Sequence, residues 1–155
     1  MVTRARTAVT AASANAVSSI ANDPVTSGNS VAKVIKPNGA EVWAGTTFLK
    51  VPGFDIISPT SETVGMKVWA PAAGIPVRLK LETINDNTKT VETQVNTTAA
   101  GWQDLSFNFA NPATGTAALD HAKTFNMASV FFDFGSGGSG KTFYFDDVSF
   151  RVLPV

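Results

Sequence analysis

The sequence predicts an all-β protein, an antiparallel β-sandwich with jelly-roll topology. Apolar and polar residues alternate with a period close to two from Val31 onward, as in half-buried strands. Turn-forming residues separate the alternating segments at short intervals, and no long segment has a helical period. Seven to nine short strands with such spacing are typical of a sandwich, with a closed barrel as the alternative.

Four predicted strands occupy the first half of the chain, separated by turn formers such as Pro37-Asn38-Gly39. Each has apolar residues at alternate positions, which predicts one side facing the core. Their predicted bounds are residues 31–36, 40–48, 63–70 and 77–82.

Four more predicted strands follow. The turn-rich residues 84–89 join the fourth strand to the fifth as a hairpin, and longer connections elsewhere favour the Greek-key links of a jelly roll. A short helical turn is expected over residues 117–123. The predicted strand bounds are residues 90–96, 102–109, 128–134 and 142–152.

The first 24 residues differ in composition from the rest of the chain. They are rich in Ala, Ser and Thr, contain Arg4 and Arg6, and have no acidic residue before Asp23. Polar residues interrupt every candidate for the continuous apolar core of roughly 7–15 residues that a secretory signal needs. We therefore predict that residues 1–24 are a linker or fragment boundary, with a transit peptide as the less favoured alternative. Residues 25–155 are predicted to form a single domain.

Composition excludes several classes of protein. The 155 residues suit one domain, and the 44% apolar content is too high for a disordered chain. Twelve basic and twelve acidic residues give no net charge, so we expect no nucleic-acid partner. No apolar run reaches the roughly 18–20 residues that span a bilayer, so no membrane association is expected. The absence of Cys excludes disulfides, thiolate metal sites and a Cys nucleophile.

Residues 135–142 match the Walker A pattern of nucleotide-binding loops, G-x4-G-K-T. A phosphate cradle needs a helix directly after the Lys-Thr pair, so that the helix N-terminus faces the phosphates. The following residues are aromatic and alternating, which predicts a strand. We therefore interpret the match as a glycine-rich loop between two strands.

The sequence contains few candidates for catalytic residues. His121 is the single histidine, has no evident partner, and is expected at the surface. Candidates for the paired carboxylates of glycoside hydrolysis are Glu82, Glu92, Asp104 and Asp133. We expect Glu82 and Glu92 to pair with the neighbouring Arg78 and Lys80, which is the ordinary role of charges at hairpin spacing. The sequence thus favours a binding protein over an enzyme.

Outward-facing strand positions combine aromatic and polar side chains. Aromatic rings stack on the apolar faces of pyranoses, while planar polar groups hydrogen-bond to sugar hydroxyls. The alternative for Trp69 and Trp102 is that either one covers the edge of the core beneath a loop. The predicted carbohydrate-binding residues are Trp69, Arg78, Lys80, Glu92, Gln94, Trp102, Phe131 and Asp133.

Three segments resemble jelly-roll carbohydrate-binding modules of the cleft type, which are appended to bacterial glycoside hydrolases. The segments are VRLKLE (77–82), VFFDFG (130–135) and TFYFDDVSF (142–150), within a similar region of about residues 31–152. The resemblance implies a non-catalytic, extracellular or secreted module, tethered to a glycoside hydrolase, that binds β-glucan or xylan across its concave sheet.

The resemblance also implies roles for individual residues. Arg78 falls on the strand that lines the cleft, and Asp133 falls where such modules often carry Gln or another polar residue. Asp146 matches a position that often ligates a structural calcium ion, which prefers carboxylate and carbonyl oxygens. The alternative is that Asp146 and Asp147 accept hydrogen bonds from loop amides.

The predicted function is therefore a carbohydrate-binding module without catalytic activity. A structural or adhesive jelly-roll subunit is the first alternative. A small carboxylate-dependent enzyme that acts on polysaccharides is the second.

Overall fold

The computed structural model describes residues 2–5 and 11–152, and the side chains of residues 14–150. The described residues form eleven strands. They are β1 (Val2–Ala5), β2 (Ala11–Ser13), β3 (Val17–Asn22), β4 (Ser30–Lys36), β5 (Gly45–Lys50), β6 (Thr63–Ala70), β7 (Pro76–Thr83), β8 (Asp86–Asn96), β9 (Gly101–Asn108), β10 (Met127–Phe132) and β11 (Lys141–Val152).

The strands form two antiparallel sheets. Sheet A has the order β3-β4-β11-β6-β9, with β1 also paired to β11, and sheet B has the order β2-β5-β10-β7-β8. Consecutive strands from β4 to β7 alternate between the sheets, whereas β7 and β8 form a hairpin within sheet B. This arrangement of β4 to β11 is a jelly roll, and the predicted fold class is confirmed.

The inward sides of both sheets form one core, which is rich in phenylalanine. Phe132 and Phe143 stack with ring centroids 4.7 Å apart, and Phe48 packs edge-on against Phe145 at 5.5 Å. Phe143 and Phe145 are completely buried. Burial of one such side chain stabilises the fold by about 1.5–3 kcal/mol, and truncation of Phe145 to Ala would cost about 3–5 kcal/mol.

The sequence predicts residues 1–24 to be a linker or fragment boundary, but their described parts form β1, β2 and β3. These strands pair with β11, β5 and β4, respectively. The physical reason for the difference is the edge position of these strands. Val17 and Ile20 on β3 remain 54% and 55% exposed, so β3 needs little apolar alternation in its sequence.

Two further segments differ from the expectations. Residues 117–123 contain a turn, closed by the Lys123 amide donating to the Asp120 carbonyl at 3.1 Å, in place of a helical turn. The strand expected over residues 40–48 begins only at Gly45, and Trp43 lies in the turn before it.

The glycine-rich segment lies between β10 and β11, as predicted, and β11 begins at Lys141. No helix in the described part of the chain has the length and apolarity to cross a membrane.

Candidate binding face on sheet B

Five of the predicted site residues lie together on the outer face of sheet B. On β7, Val77, Leu79 and Leu81 are completely buried, which turns the residues between them outward. Antiparallel pairing then sets their neighbours across β10 and β8. The resulting sheet B face consists of Ser129 and Phe131 on β10, Arg78, Lys80 and Glu82 on β7, and Glu92 and Gln94 on β8.

Arg78 is held at the centre of the sheet B face by three contacts. Its Nε donates to Oε1 of Gln94 at 3.0 Å, and its Nη1 lies 3.4 Å from Oε1 of Glu92. The guanidinium carbon lies 3.8 Å from the ring centroid of Phe134, which is a cation–π contact. A guanidinium has five N–H donors, so this arrangement fixes the group and leaves donors for a ligand.

The cations of the sheet B face are paired with carboxylates. Besides the Arg78–Glu92 pair, Nζ of Lys80 lies 3.7 Å from Oε2 of Glu82. The expected cross-strand charge pair is confirmed for Glu92, whereas Glu82 pairs with Lys80 on its own strand. The face thus presents hydrogen-bonding groups without a net charge.

Aromatic rings border these polar groups. Phe131 and Phe134 pack edge-on with centroids 6.1 Å apart. The ring of Phe131 lies directly over Gly45, where a Cβ atom would overlap it. Trp43 is 51% exposed and, together with Phe131, lines a cavity of about 190 Å³ that extends to Lys80. Trp43 and Phe134 were not among the predicted site residues. The sequence signal for Trp43 is that this large aromatic residue is followed by the small residues Ala44 and Gly45.

Trp69 and Trp102 lie on sheet A, so the structure does not bring them together with Arg78. They are opposite each other in the β6–β9 register, and Trp69 packs edge-on against Tyr144 with centroids 5.5 Å apart. The indole Nε1 of Trp102 donates to Oδ1 of Asp23 at 3.0 Å, which attaches the β3–β4 loop to this face. For Trp102, this contact agrees with the alternative in which the side chain packs beneath a loop.

Asp23 is an unusually strong acid because of this loop. Burial alone raises the pKa of Asp23, but hydrogen bonds from the backbone amides of Val25 and Thr26 and from the side chains of Asn29 and Trp102 outweigh it. Together they lower the pKa to about 2. The carboxylate therefore stays ionised through most of the acidic range and keeps its bond to the indole.

Asp133 is also separate from the sheet B face. It directly follows β10, is only 7% exposed, and has a positive φ of 52°. Its Oδ2 lies 3.3 Å from Nζ of Lys141, at the start of β11. The structure therefore places Asp133 in the connection between the sheets.

Asp146, the predicted calcium ligand, lies near other carboxylates at one cavity. Asp146 is opposite Lys67 in the β11–β6 register and lines a cavity of about 340 Å³ with Asp23, Asp104 and Asp147. Among the residues whose side chains are described, no group of three or more acidic or histidine side chains is arranged to hold a metal ion. A calcium ion at Asp146 stays a prediction.

His121 is exposed, and its Nε2 lies 3.2 Å from Oε2 of Glu62, which is a surface contact.

Comparisons with known proteins identify the fold. No protein-family model matches the chain, and no curated protein matches it significantly. Among solved structures, the family 11 carbohydrate-binding module of the cellulase Lic26A-Cel5E of Clostridium thermocellum matches with a TM-score of 0.58 and 11% identity. The match covers 92% of this chain and 86% of that module. The chain shares its fold with carbohydrate-binding modules.

Two larger enzymes contain a region of the same fold. The CBM22-1–GH10 xylanase 10B of Clostridium thermocellum matches with a TM-score of 0.56 and 16% identity, over 90% of this chain and 25% of the xylanase chain. A GH51 α-L-arabinofuranosidase matches with a TM-score of 0.59 and 17% identity, over 90% of this chain and 22% of the enzyme. This chain thus spans a quarter or less of the length of those two enzymes.

Proposed function

We propose that this protein binds a polysaccharide chain across the sheet B face and performs no covalent chemistry. The observation that carries the proposal is the convergence of Trp43, Phe131, Arg78 and Gln94 at one side of the sandwich. The shared fold with carbohydrate-binding modules supports it independently.

The sheet B face has the chemistry that a sugar chain requires. Trp43 is the most exposed ring at this face and offers a surface for the apolar side of a pyranose. Arg78 supplies fixed N–H donors, while Glu92 and Gln94 supply acceptors for sugar hydroxyls. Because Arg78 is already held by protein contacts, it loses little conformational freedom when a ligand binds.

Within this proposal, the ligand is a neutral β-glucan or xylan. The charge pairs on the sheet B face leave no excess cation to attract a polyuronate. A family 11 module of the same fold, with a TM-score of 0.55 and 12% identity, was solved with a β-1,3-1,4-mixed-linked tetrasaccharide. The xylanase 10B modules were solved with xylohexaose. Both of these ligands are neutral oligosaccharides.

The proposed role of binding is to hold an attached glycoside hydrolase at its extracellular substrate. Two of the matching structures are glycoside hydrolase chains of which this fold occupies a part. A tether converts the second encounter with the substrate into an intramolecular one, which raises the effective enzyme concentration at the polymer.

Affinity gel electrophoresis tests the proposal directly. Gels would contain laminarin, barley glucan, xylan, mannan, pectin or alginate, and the Trp43→Ala variant would run beside the wild-type protein. We expect retardation of the wild-type protein by barley glucan or xylan, and weaker retardation of the variant. Unretarded migration in all six gels would refute the proposal.

A structural subunit is the second candidate, favoured by one observation. The edge strand β3 exposes Val17 and Ile20, a pattern suited to contacts between subunits. Light scattering distinguishes the two functions, because the binding module is expected to be a monomer and a structural subunit a large oligomer. New reducing ends after incubation with polysaccharide would instead indicate the enzyme alternative.

A further inference from the structure

The last residue of β4 is a lysine inside the protein. Lys36 is only 2% exposed, although lysines are rarely buried unless their charge is compensated. Its neighbour Lys33 on the same strand is partly exposed and faces outward. The strand alternation places Lys36 inward together with Ala32 and Val34, but it does not explain how the buried charge is compensated.

Three backbone carbonyl oxygens surround the ammonium group of Lys36. Nζ donates to the carbonyl of Asp133 at 2.7 Å, of Val42 at 3.1 Å and of Phe132 at 3.4 Å. An ammonium has three N–H donors, so each one is matched by an acceptor. Burial lowers the pKa of Lys36, while the nearby Asp133 carboxylate raises it and the Lys141 ammonium lowers it.

The three carbonyls belong to the two segments that carry aromatic residues of the binding face. Val42 directly precedes Trp43, in the segment between β4 and β5. Phe132 and Asp133 lie between Phe131 and Phe134, at the end of β10. One buried cation thus binds the backbone beside each of these rings.

The same two segments contact each other through their backbones. The Gly135 amide donates to the Val42 carbonyl at 3.0 Å, and the Gly138 amide donates to the Ala40 carbonyl at 3.0 Å. Gly138 lies so close to Pro37 that a Cβ atom would overlap the proline carbonyl oxygen. The glycine-rich loop is therefore packed against residues 37–44, with the Lys36 ammonium at one end of the contact.

We propose that Lys36 is a positioning residue of the binding face, which fixes Trp43 relative to Phe131 and Phe134 without touching the ligand. Its ammonium acts as an internal cation, held in an oxygen shell and covalently tethered to β4. This inference rests on the proposed function for its effect on affinity, whereas its effect on the position of Trp43 is measurable without any ligand.

Two variants and a small molecule test the inference. Lys36→Met keeps most of the side-chain volume and removes the charge. Lys36→Ala removes three carbons and the ammonium nitrogen, which are the atoms of propylammonium, so this cation can be supplied from solution. Lys33→Met on the same strand is the matched control, and propanol is the neutral control molecule.

The first measurement is the indole N–H resonance of Trp43 in a ¹H–¹⁵N spectrum, assigned with a Trp43→Phe variant. We expect it to shift in both Lys36 variants and to return toward its wild-type position when propylammonium is added to Lys36→Ala. Lys33→Met and propanol should leave it unchanged. An unshifted Trp43 resonance in folded Lys36→Met would overturn the inference, whether or not a glycan ligand is known.

The second measurement is affinity for the polysaccharide that retards the wild-type protein. We expect Lys36→Met to bind about tenfold more weakly, the effect of losing roughly one well-placed contact. If Lys36→Ala does not fold alone, its folding with propylammonium becomes the readout. Recovery with propylammonium but not with propanol supports the internal-cation role, and equal behaviour with both contradicts it.

Discussion

Replacement of Arg78 by methionine tests whether the glycan binds to the sheet B face. Arg78→Met keeps the apolar stem and removes the guanidinium that contacts Gln94, Glu92 and Phe134. Lys67→Met is the matched control, because Lys67 is also an outward cation paired with a carboxylate, Asp104 at 3.7 Å, but it lies on sheet A. Both variants remove one positive charge from the outer face of a strand.

The structure sets the size of the expected effects. The partly exposed Arg78–Glu92 pair is worth at most about 1 kcal/mol, and the stack on Phe134 about 0.5–1 kcal/mol. We therefore expect Arg78→Met to lower the free energy of unfolding by about 1–2 kcal/mol. A lost charge-assisted hydrogen bond to a sugar is worth about 1.5–3 kcal/mol, so the affinity should fall by about 10- to 150-fold.

Calorimetric titration with the retarding polysaccharide and urea unfolding measure the two quantities. Lys67→Met should bind like the wild-type protein and lose less than about 1 kcal/mol of stability, because its ion pair is well exposed. Affinity of Arg78→Met within twofold of the wild-type value would refute the assigned role of Arg78. An equal loss in both variants would refute the assignment of binding to sheet B.

Three further predictions follow from the same geometry. Gly45→Ala should displace the ring of Phe131, lower the free energy of unfolding in urea by about 1–3 kcal/mol and weaken glycan binding. Gly137→Ala is the control, because a Cβ atom there has ordinary space, and it should not affect binding. Binding should change little between about 0.05 M and about 1 M salt, and a steep loss would indicate an acidic ligand. Because the pKa of Asp23 is lowered to about 2, its carboxylate stabilises the fold above about pH 4 and loses this effect as the pH falls toward 2. Asp23→Asn should therefore flatten the acid dependence of thermal unfolding in that window, and an unchanged dependence would contradict the lowered pKa of Asp23.

The strand pattern predicted most of the fold because half-buried strands alternate apolar and polar residues in sequence. On β7, a buried residue alternates with an outward one over Val77 to Glu82, and this period was sufficient to place the strand. The edge strand β3 has no such alternation, because Val17 and Ile20 are exposed and the Ser18 hydroxyl hydrogen-bonds to the Thr46 hydroxyl. The sequence could therefore not distinguish β3 from a linker.

The site was predicted less completely for a related reason. Alternation indicates which residues face outward, but it does not indicate which sheet a strand joins. Consecutive strands of a jelly roll alternate between sheets, so Trp69 on β6 and Arg78 on β7 lie on opposite faces although they are close in sequence. The prediction grouped Trp69 and Arg78 in one site because it assumed that their strands belong to the same sheet.

The residues that were missed lie outside the regular strands. Trp43 lies in a turn, and Phe134 lies just after β10, where positions follow from loop packing. Lys36 lies at an inward position of β4, but the carbonyls that compensate its buried charge belong to residues up to 97 positions away. Such contacts have no local sequence pattern.

The most direct test of the binding face is a ¹H–¹⁵N titration of the wild-type protein with xylohexaose and, separately, with a mixed-linked glucan tetrasaccharide. At least one ligand is predicted to shift the Trp43 indole resonance and the amides around Arg78, Gln94 and Phe131, while the indole resonances of Trp69 and Trp102 stay in place. Shifts confined to the Trp69 and Trp102 indoles and their neighbours would place binding on sheet A and contradict the central claim.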